Sequence, residues 1–197
     1  MTDVSAIVPT VPPRADRLSR ALASVAHQTR PVEAISVAID THHEGPGPTR
    51  TRALLGTQTA WVAPLDDDDE WQPQHIEVCL TAALETGADV VYPWFDVVGG
   101  SDPFPQFEGR PWSNDEPHIF GCWFLGRAEL LKDVGGWLDR AQMGDQWKPE
   151  WQGDGSGGGE DWNLILRLIS AGARIIHIPV RTYIWHHDGH HYSGSTW

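Results

Sequence analysis

Cysteine is scarce in this chain, with two in 197 residues, and that scarcity excludes a small disulfide-stapled scaffold. Cys79 falls in a helical pattern and Cys122 in a strand pattern, so both read as reduced small hydrophobes packed in a core. No apolar run approaches the roughly 20 residues that a membrane-spanning helix needs. The N-terminus lacks the basic segment and apolar stretch of a signal peptide, so the chain is expected to be cytoplasmic and to have no membrane segment. Basic residues are also few: 14 Lys and Arg stand against 27 Asp and Glu, a formal charge of -13. A protein that gains affinity by neutralising nucleic-acid phosphates needs the opposite balance, so nucleic acid is not an expected partner. Phe and Tyr number only five and three, whereas there are 11 tryptophans. The 40% apolar content is enough for one core, and a single compact domain is expected.

The apolar pattern alternates between short runs and helical spacing. Residues 4–8 read as a strand that Pro9, Pro12 and Pro13 end. Over 14–28, Ala15, Leu18, Ala21, Leu22 and Val25 recur at helical spacing, with Arg14, Arg17 and Arg20 mostly off that stripe. A second strand, 35–39, ends at Asp40; Gly45, Pro46, Gly47 and Pro48 mark a loop, and a short helix is expected over 50–55. A third strand, 61–65, is followed by a helix that Pro73 opens and that runs to about Thr86. Strand and helix in alternation predict a doubly wound, mostly parallel α/β sheet flanked by helices, with ligands beyond the carboxyl ends of its strands. The second half is less regular, with strands expected at 89–98, 118–125 and 173–180, helices at 127–134 and from Glu160, and loops at 99–117 and 138–159. The glycine run 153–159 lacks the Lys and Ser/Thr of a phosphate loop and reads as a hinge or lid.

Two acidic clusters stand out. The third strand discharges into Asp66, Asp67, Asp68 and Asp69, where mutual repulsion is relieved either by solvent or by a cation, and hard oxygen donors suit Mg²⁺ or Mn²⁺. Glu160 and Asp161 open a helix, either as its cap alone or as functional acids. His186, His187, His190 and His191 crowd the end of the chain, either as a solvated tail or as a source of imidazole for a metal.

These pieces together resemble a family 2 glycosyltransferase of the GT-A fold over nearly the whole length. Ile7 to Thr10, the segment from Arg20 to Val25, and Gln28 with Thr29 resemble that family's first strand and helix. Asp40 sits where its second strand ends. The segment from Leu65 to Asp69 matches its Asp-x-Asp region, while Gly159 to Trp162 with Leu166 to Leu168 matches its acceptor-side helix. One departure is Thr51, at a position where Asn is frequent.

The resemblance implies metal-dependent transfer of a sugar from a nucleotide diphosphate sugar, a UDP-sugar being favoured, to an acceptor hydroxyl, with inversion. Thr10, Asp40, Arg50, Asp66 and Asp67 would line the donor pocket in a nucleotide-binding half, 1–98. Asp66 and Asp68 would hold Mn²⁺ or Mg²⁺, with His186 or His187 as a third ligand and His186 preferred. Asp161 would act as general base with Glu160 beside it, in an acceptor-side half, 99–197. The acceptor would be a soluble protein, a glycan or a small molecule, with Trp147 and Trp151 as acceptor-side stacking residues. Two other readings compete: a non-catalytic module that binds carbohydrate or metal, which leaves Glu160 and Asp161 unexplained, and a nucleotidyltransferase, whose basic phosphate loop is missing after the first strand.

Overall fold

The computed structural model describes residues 2–118, 120–144 and 159–187. One seven-stranded sheet runs through it, and its order follows from which runs can afford burial on both faces. The apolar strand β1, Val4–Thr10, is buried at every position and lies between β2, Ala34–Ile39, and β3, Trp61–Pro64, parallel to both. A strand apolar throughout needs cover on each side, as in parallel sheets packed by helices. Beyond β3 come β6, Leu125–Arg127, then β5, Val90–Val98, then β7, Ile175–His186, and at the edge β4, Glu70–Trp71. The β5 and β7 strands are parallel, whereas β6 pairs antiparallel with both its neighbours and β4 pairs antiparallel with β7. The expected α/β sheet, parallel through most of its core, is present, with antiparallel insertions.

Six helices accompany it: α1, Ala15–Ala26; α2, Pro46–Leu55; α3, His75–Thr86; α4, Ala128–Asp133; α5, Arg140–Met143; and α6, Gly159–Ser170. Helix α2 starts four residues before its expected beginning because Pro46 occupies the first turn, where its missing N–H costs nothing. Gly45, at φ 90, makes the entry. The turn from Asp66 to Trp71 folds back to form β4, and α3 begins after Gln74 instead of at Pro73.

Two strand expectations are corrected. None of the described residues from 118 to 124 is in a strand, and pairing begins at Leu125. The alternation there reflects His118, Phe120 and Phe124 burying into an aromatic cluster and Cys122 burying beside Asp161. The last strand does not stop at Val180 but continues to His186. Irregularities in its register against β5, between Tyr92 and Phe95, let the pairing resume beyond Pro179. Helix α5 replaces part of an expected loop.

The core answers the question of the tryptophans in part. Trp61, Trp71, Trp94 and Trp137 are at most 3% exposed, and Trp112, Trp123, Trp162 and Trp185 pack against the core from its margin. Trp147, Trp151 and the glycines at 153–158 lie outside the described residues.

Candidate functional site

The parallel strands β1, β2 and β3 end at one edge of the sheet, and their register brings Thr10, Asp40 and the aspartate turn together. In that turn, alternate residues do different jobs. Asp67 and Asp69 point inward and are 3% and 4% exposed. Asp67 accepts the Thr10 hydroxyl at 2.6 Å and the Arg14 guanidinium at 2.9 Å. Asp69 accepts the Tyr183 hydroxyl at 2.8 Å and the backbone N–H of His186 at 2.9 Å, which ties the turn to β7. Burial, with the charges of Asp66 and Asp68, pushes the Asp69 carboxyl well above the ordinary range.

Asp66 and Asp68 keep solvent access, each with a side chain 29% exposed. Arg50 meets both oxygens of Asp66, Nε donating to Oδ1 at 3.2 Å and Nη2 to Oδ2 at 3.0 Å, the fork geometry that makes such pairs strong. Arg14 and Arg17 approach Asp68 at 3.4 and 3.3 Å, and Arg20 donates to its carbonyl at 2.6 Å. The spacing of these three arginines off the apolar stripe of α1 was visible in the sequence; that they face the acid turn was not. Burial and the neighbouring Asp66 and Asp67 raise the Asp68 carboxyl, against the pull of Arg14 and Arg17.

Asp66 and Asp68 supply hard oxygens beside open solvent, donor chemistry that fits Mg²⁺ or Mn²⁺ when phosphate oxygens and water fill the remaining positions. Among the described residues, no three His, Cys, Asp or Glu side chains form a metal-binding group, so the protein's own share would be these two carboxylates. The structure places the His186 imidazole 2.7 Å from Glu70. His187 lies edge-on to Trp185 and donates its backbone N–H to Val98.

Asp40 is 2% exposed and accepts the backbone N–H groups of His42, Glu44 and Gly45 at 2.9–3.1 Å. Burial raises its carboxyl, but these bonds outweigh it and hold the group below its ordinary range. The residue thus builds the loop between β2 and α2, with both oxygens engaged.

On the opposite side of Arg50 stand the first residues of α6. Its guanidinium, 7% exposed, lies 3.4 Å from Glu160 and 4.0 Å from Asp161. Asp161 Oδ1 also accepts the indole N–H of Trp137 at 2.8 Å and the Cys122 thiol at 3.5 Å. Burial pushes the Asp161 carboxyl up to about 7 against the attraction of Arg50, with Glu160 and Asp66 adding to the rise and the Trp137 hydrogen bond opposing it. A carboxyl so placed exchanges its proton near neutral pH, as a general base requires. Sequence reasoning missed Cys122, Trp137 and Tyr183 as site residues, because each reads as an ordinary core residue.

A family model described as Glycosyl transferase family 2 matches residues 34–135. No curated protein matches the chain in sequence. Among solved structures, S. aureus TarS is similar, with TM-score 0.71 at 18% identity over 94% of this chain and 37% of that one. The structure of its residues 1–349 in complex with UDP-GlcNAc gives TM-score 0.71 at 20% identity over 99% of this chain and 62% of that one. The complex with UDP gives 0.68 at 19% over 94% and 60%. The chain thus spans between 37% and 62% of the length of the TarS chains it matches.

Proposed function

The chain belongs to glycosyl transferase family 2, and from that premise we propose that it transfers a sugar from a nucleotide diphosphate sugar to an acceptor hydroxyl, with inversion and with the help of a divalent metal. The observation that carries the reading is Arg50, which touches Asp66 on the donor side and Glu160 on the acceptor side. Both acidic clusters therefore belong to one site. A UDP-sugar is the favoured donor; the support is that a similar structure was solved with UDP-GlcNAc.

Asp161 takes the proton of the acceptor hydroxyl as its oxygen bonds to the anomeric carbon, and the bond from that carbon to the diphosphate breaks with its electron pair leaving on the diphosphate. Arg50, Arg14 and Arg17 stand where that charge develops. Asp66 and Asp68 would hold a Mg²⁺ or Mn²⁺, which when bound would supply further electrostatic stabilisation of the leaving group. Thr10 and Asp40 shape the floor on which the nucleotide rests, and Asp67 holds Arg14 in place.

The test is thermal. A nucleotide that binds only the folded protein raises the melting point, and with Mn²⁺ present UDP is expected to do so more than other nucleoside diphosphates; no shift with any of them overturns the reading. Asp161→Asn is expected to keep the UDP shift and to lose turnover of the donor. A variant that instead loses its response to nucleotide removes Asp161 from the acceptor side.

A further inference from the structure

Trp137 is 1% exposed and stacks near-parallel on Phe124 with centroids 6.0 Å apart, yet its indole N–H leaves that apolar setting to reach Asp161 Oδ1. The Cys122 thiol and the Arg50 guanidinium approach the same oxygen. No described residue donates a hydrogen bond to Oδ2, and the side chain is 14% exposed. The two oxygens of this carboxylate are therefore unequal.

The backbone of Trp137 is itself clamped. Thr51 Oγ1 donates to the Trp137 carbonyl at 2.8 Å and accepts the Trp137 N–H at 2.7 Å. The contact is close enough that Gly136, at φ +65, admits no side chain; a Cβ there would lie 2.6 Å from Thr51 Oγ1. Thr51 follows Arg50 on α2, so one helical turn carries both the guanidinium between the two acidic clusters and the clamp on the tryptophan.

We propose that Thr51, Trp137 and Cys122 form a positioning device that commits Oδ1 of Asp161 to the protein and leaves Oδ2 as the atom that takes the acceptor's proton. The proposal rests on the reading of Asp161 as general base. Its physical content is rotational. An unrestrained carboxylate beside Arg50 would turn to offer both oxygens to the fork of the guanidinium, the arrangement Arg50 already makes with Asp66, and a base so paired is weaker and points away from the acceptor. Trp137 holds one oxygen with a neutral donor and keeps the other turned outward. The thiol, a weak donor, adds less. Neither Trp137 nor Thr51 needs to touch a substrate for this.

Thr51→Val keeps the side-chain volume and removes the clamp; Trp137→Phe removes the indole N–H. General base catalysis is worth roughly 10²–10⁴ in rate, and losing its orientation is expected to lower release of UDP from UDP-GlcNAc, with Mn²⁺ and water as acceptor, by about tenfold or more in Thr51→Val. The UDP melting shift should stay unchanged. The acid limb of the rate profile should move to higher pH, because a lost hydrogen bond to the charged form raises the carboxyl; Arg50, Glu160, Asp66 and Cys122, the other groups around it, are unaltered. A normal rate in a folded Thr51→Val protein, or a lower rate with the acid limb unmoved, overturns the proposal.

The contact is also readable without substrate. The indole ¹H–¹⁵N resonance of Trp137, identified by its loss in Trp137→Phe, is expected to titrate near neutral pH and to stop doing so in Asp161→Asn; a resonance indifferent to pH overturns the device even where UDP-GlcNAc is not turned over. If Asp161→Asn releases UDP as fast as the parent, the base reading falls and this one with it. If Asp161→Asn is inactive while Thr51→Val is normal, only the positioning device falls.

Discussion

Asp161 carries a stability cost that its function would require. Its carboxyl lies at about 7, above the ordinary 3.8, so the folded protein binds that proton more tightly than the unfolded chain does. For an acid shifted upward, the contribution to stability is fully present below the unfolded value and is lost as pH rises through the folded one. Between those values the folded protein keeps a proton that the unfolded chain gives up, at a cost that grows with pH, chiefly because burial penalises the charged form. Asp161→Asn removes that burden. Its melting temperature is expected to exceed the parent's by more at pH 8 than at pH 5, a scanning calorimetry measurement; an equal or smaller gain at pH 8 would mean that the charge is better accommodated than its burial implies. The residues that the Asp-x-Asp and Glu-Asp patterns singled out were legible because their chemistry is concentrated in sequence. Their partners were not. Tyr183 meets Asp69 across 114 positions and Arg50 meets Glu160 across 110, and nothing local in either segment encodes the meeting.

At the scale of elements, the legible part was whatever periodicity alone decides: β1, β2, β3, β5 and α1, α3 and α6 fall close to where apolar spacing puts them. Two misread boundaries bear on the site. The Gly-Pro pattern puts Pro46 in a loop, whereas it starts α2, and the apolar run ends the last strand at Val180, whereas β7 continues to His186. That second error hid the route by which Tyr183 and His186 reach the aspartate turn. Tyr183 is 1% exposed and its hydroxyl is one of two groups holding a nearly buried Asp69. Tyr183→Phe is expected to lower unfolding free energy by about 1–3 kcal/mol, the penalty for leaving a buried acceptor short of a partner. Urea denaturation measures it, and a change below about 0.5 kcal/mol, typical of surface substitutions, would show that water replaces the hydroxyl without loss.

Across the whole molecule, the sheet interleaves strands from the two ends of the chain. Strand β6, from the second half, lies between β3 and β5 of the first, and β7 covers the far side of β5. A fragment of residues 1–98 would therefore have β3 and β5 separated by a missing strand, each with an unpaired edge. It is expected to be unfolded by circular dichroism, while the full chain unfolds in one transition by tryptophan fluorescence and far-ultraviolet signal alike. A folded fragment would show that the first half holds its own core. The interleaving depends on pairings between distant strands that no composition records.

The path of β7 also limits how this chain can change length. The strand pairs with β5 along its length, and Tyr183 and Ile184 also pair with Trp71 and Glu70 of β4, the Tyr183 side chain reaching Asp69 in the aspartate turn. Because successive strand residues face opposite sides, inserting or deleting a single residue between Ile175 and Tyr183 would turn the tyrosine away from Asp69, unless the irregular stretch near Pro179 absorbed the change. Counted spacing, as much as the identity of Tyr183, is what this strand contributes to the site.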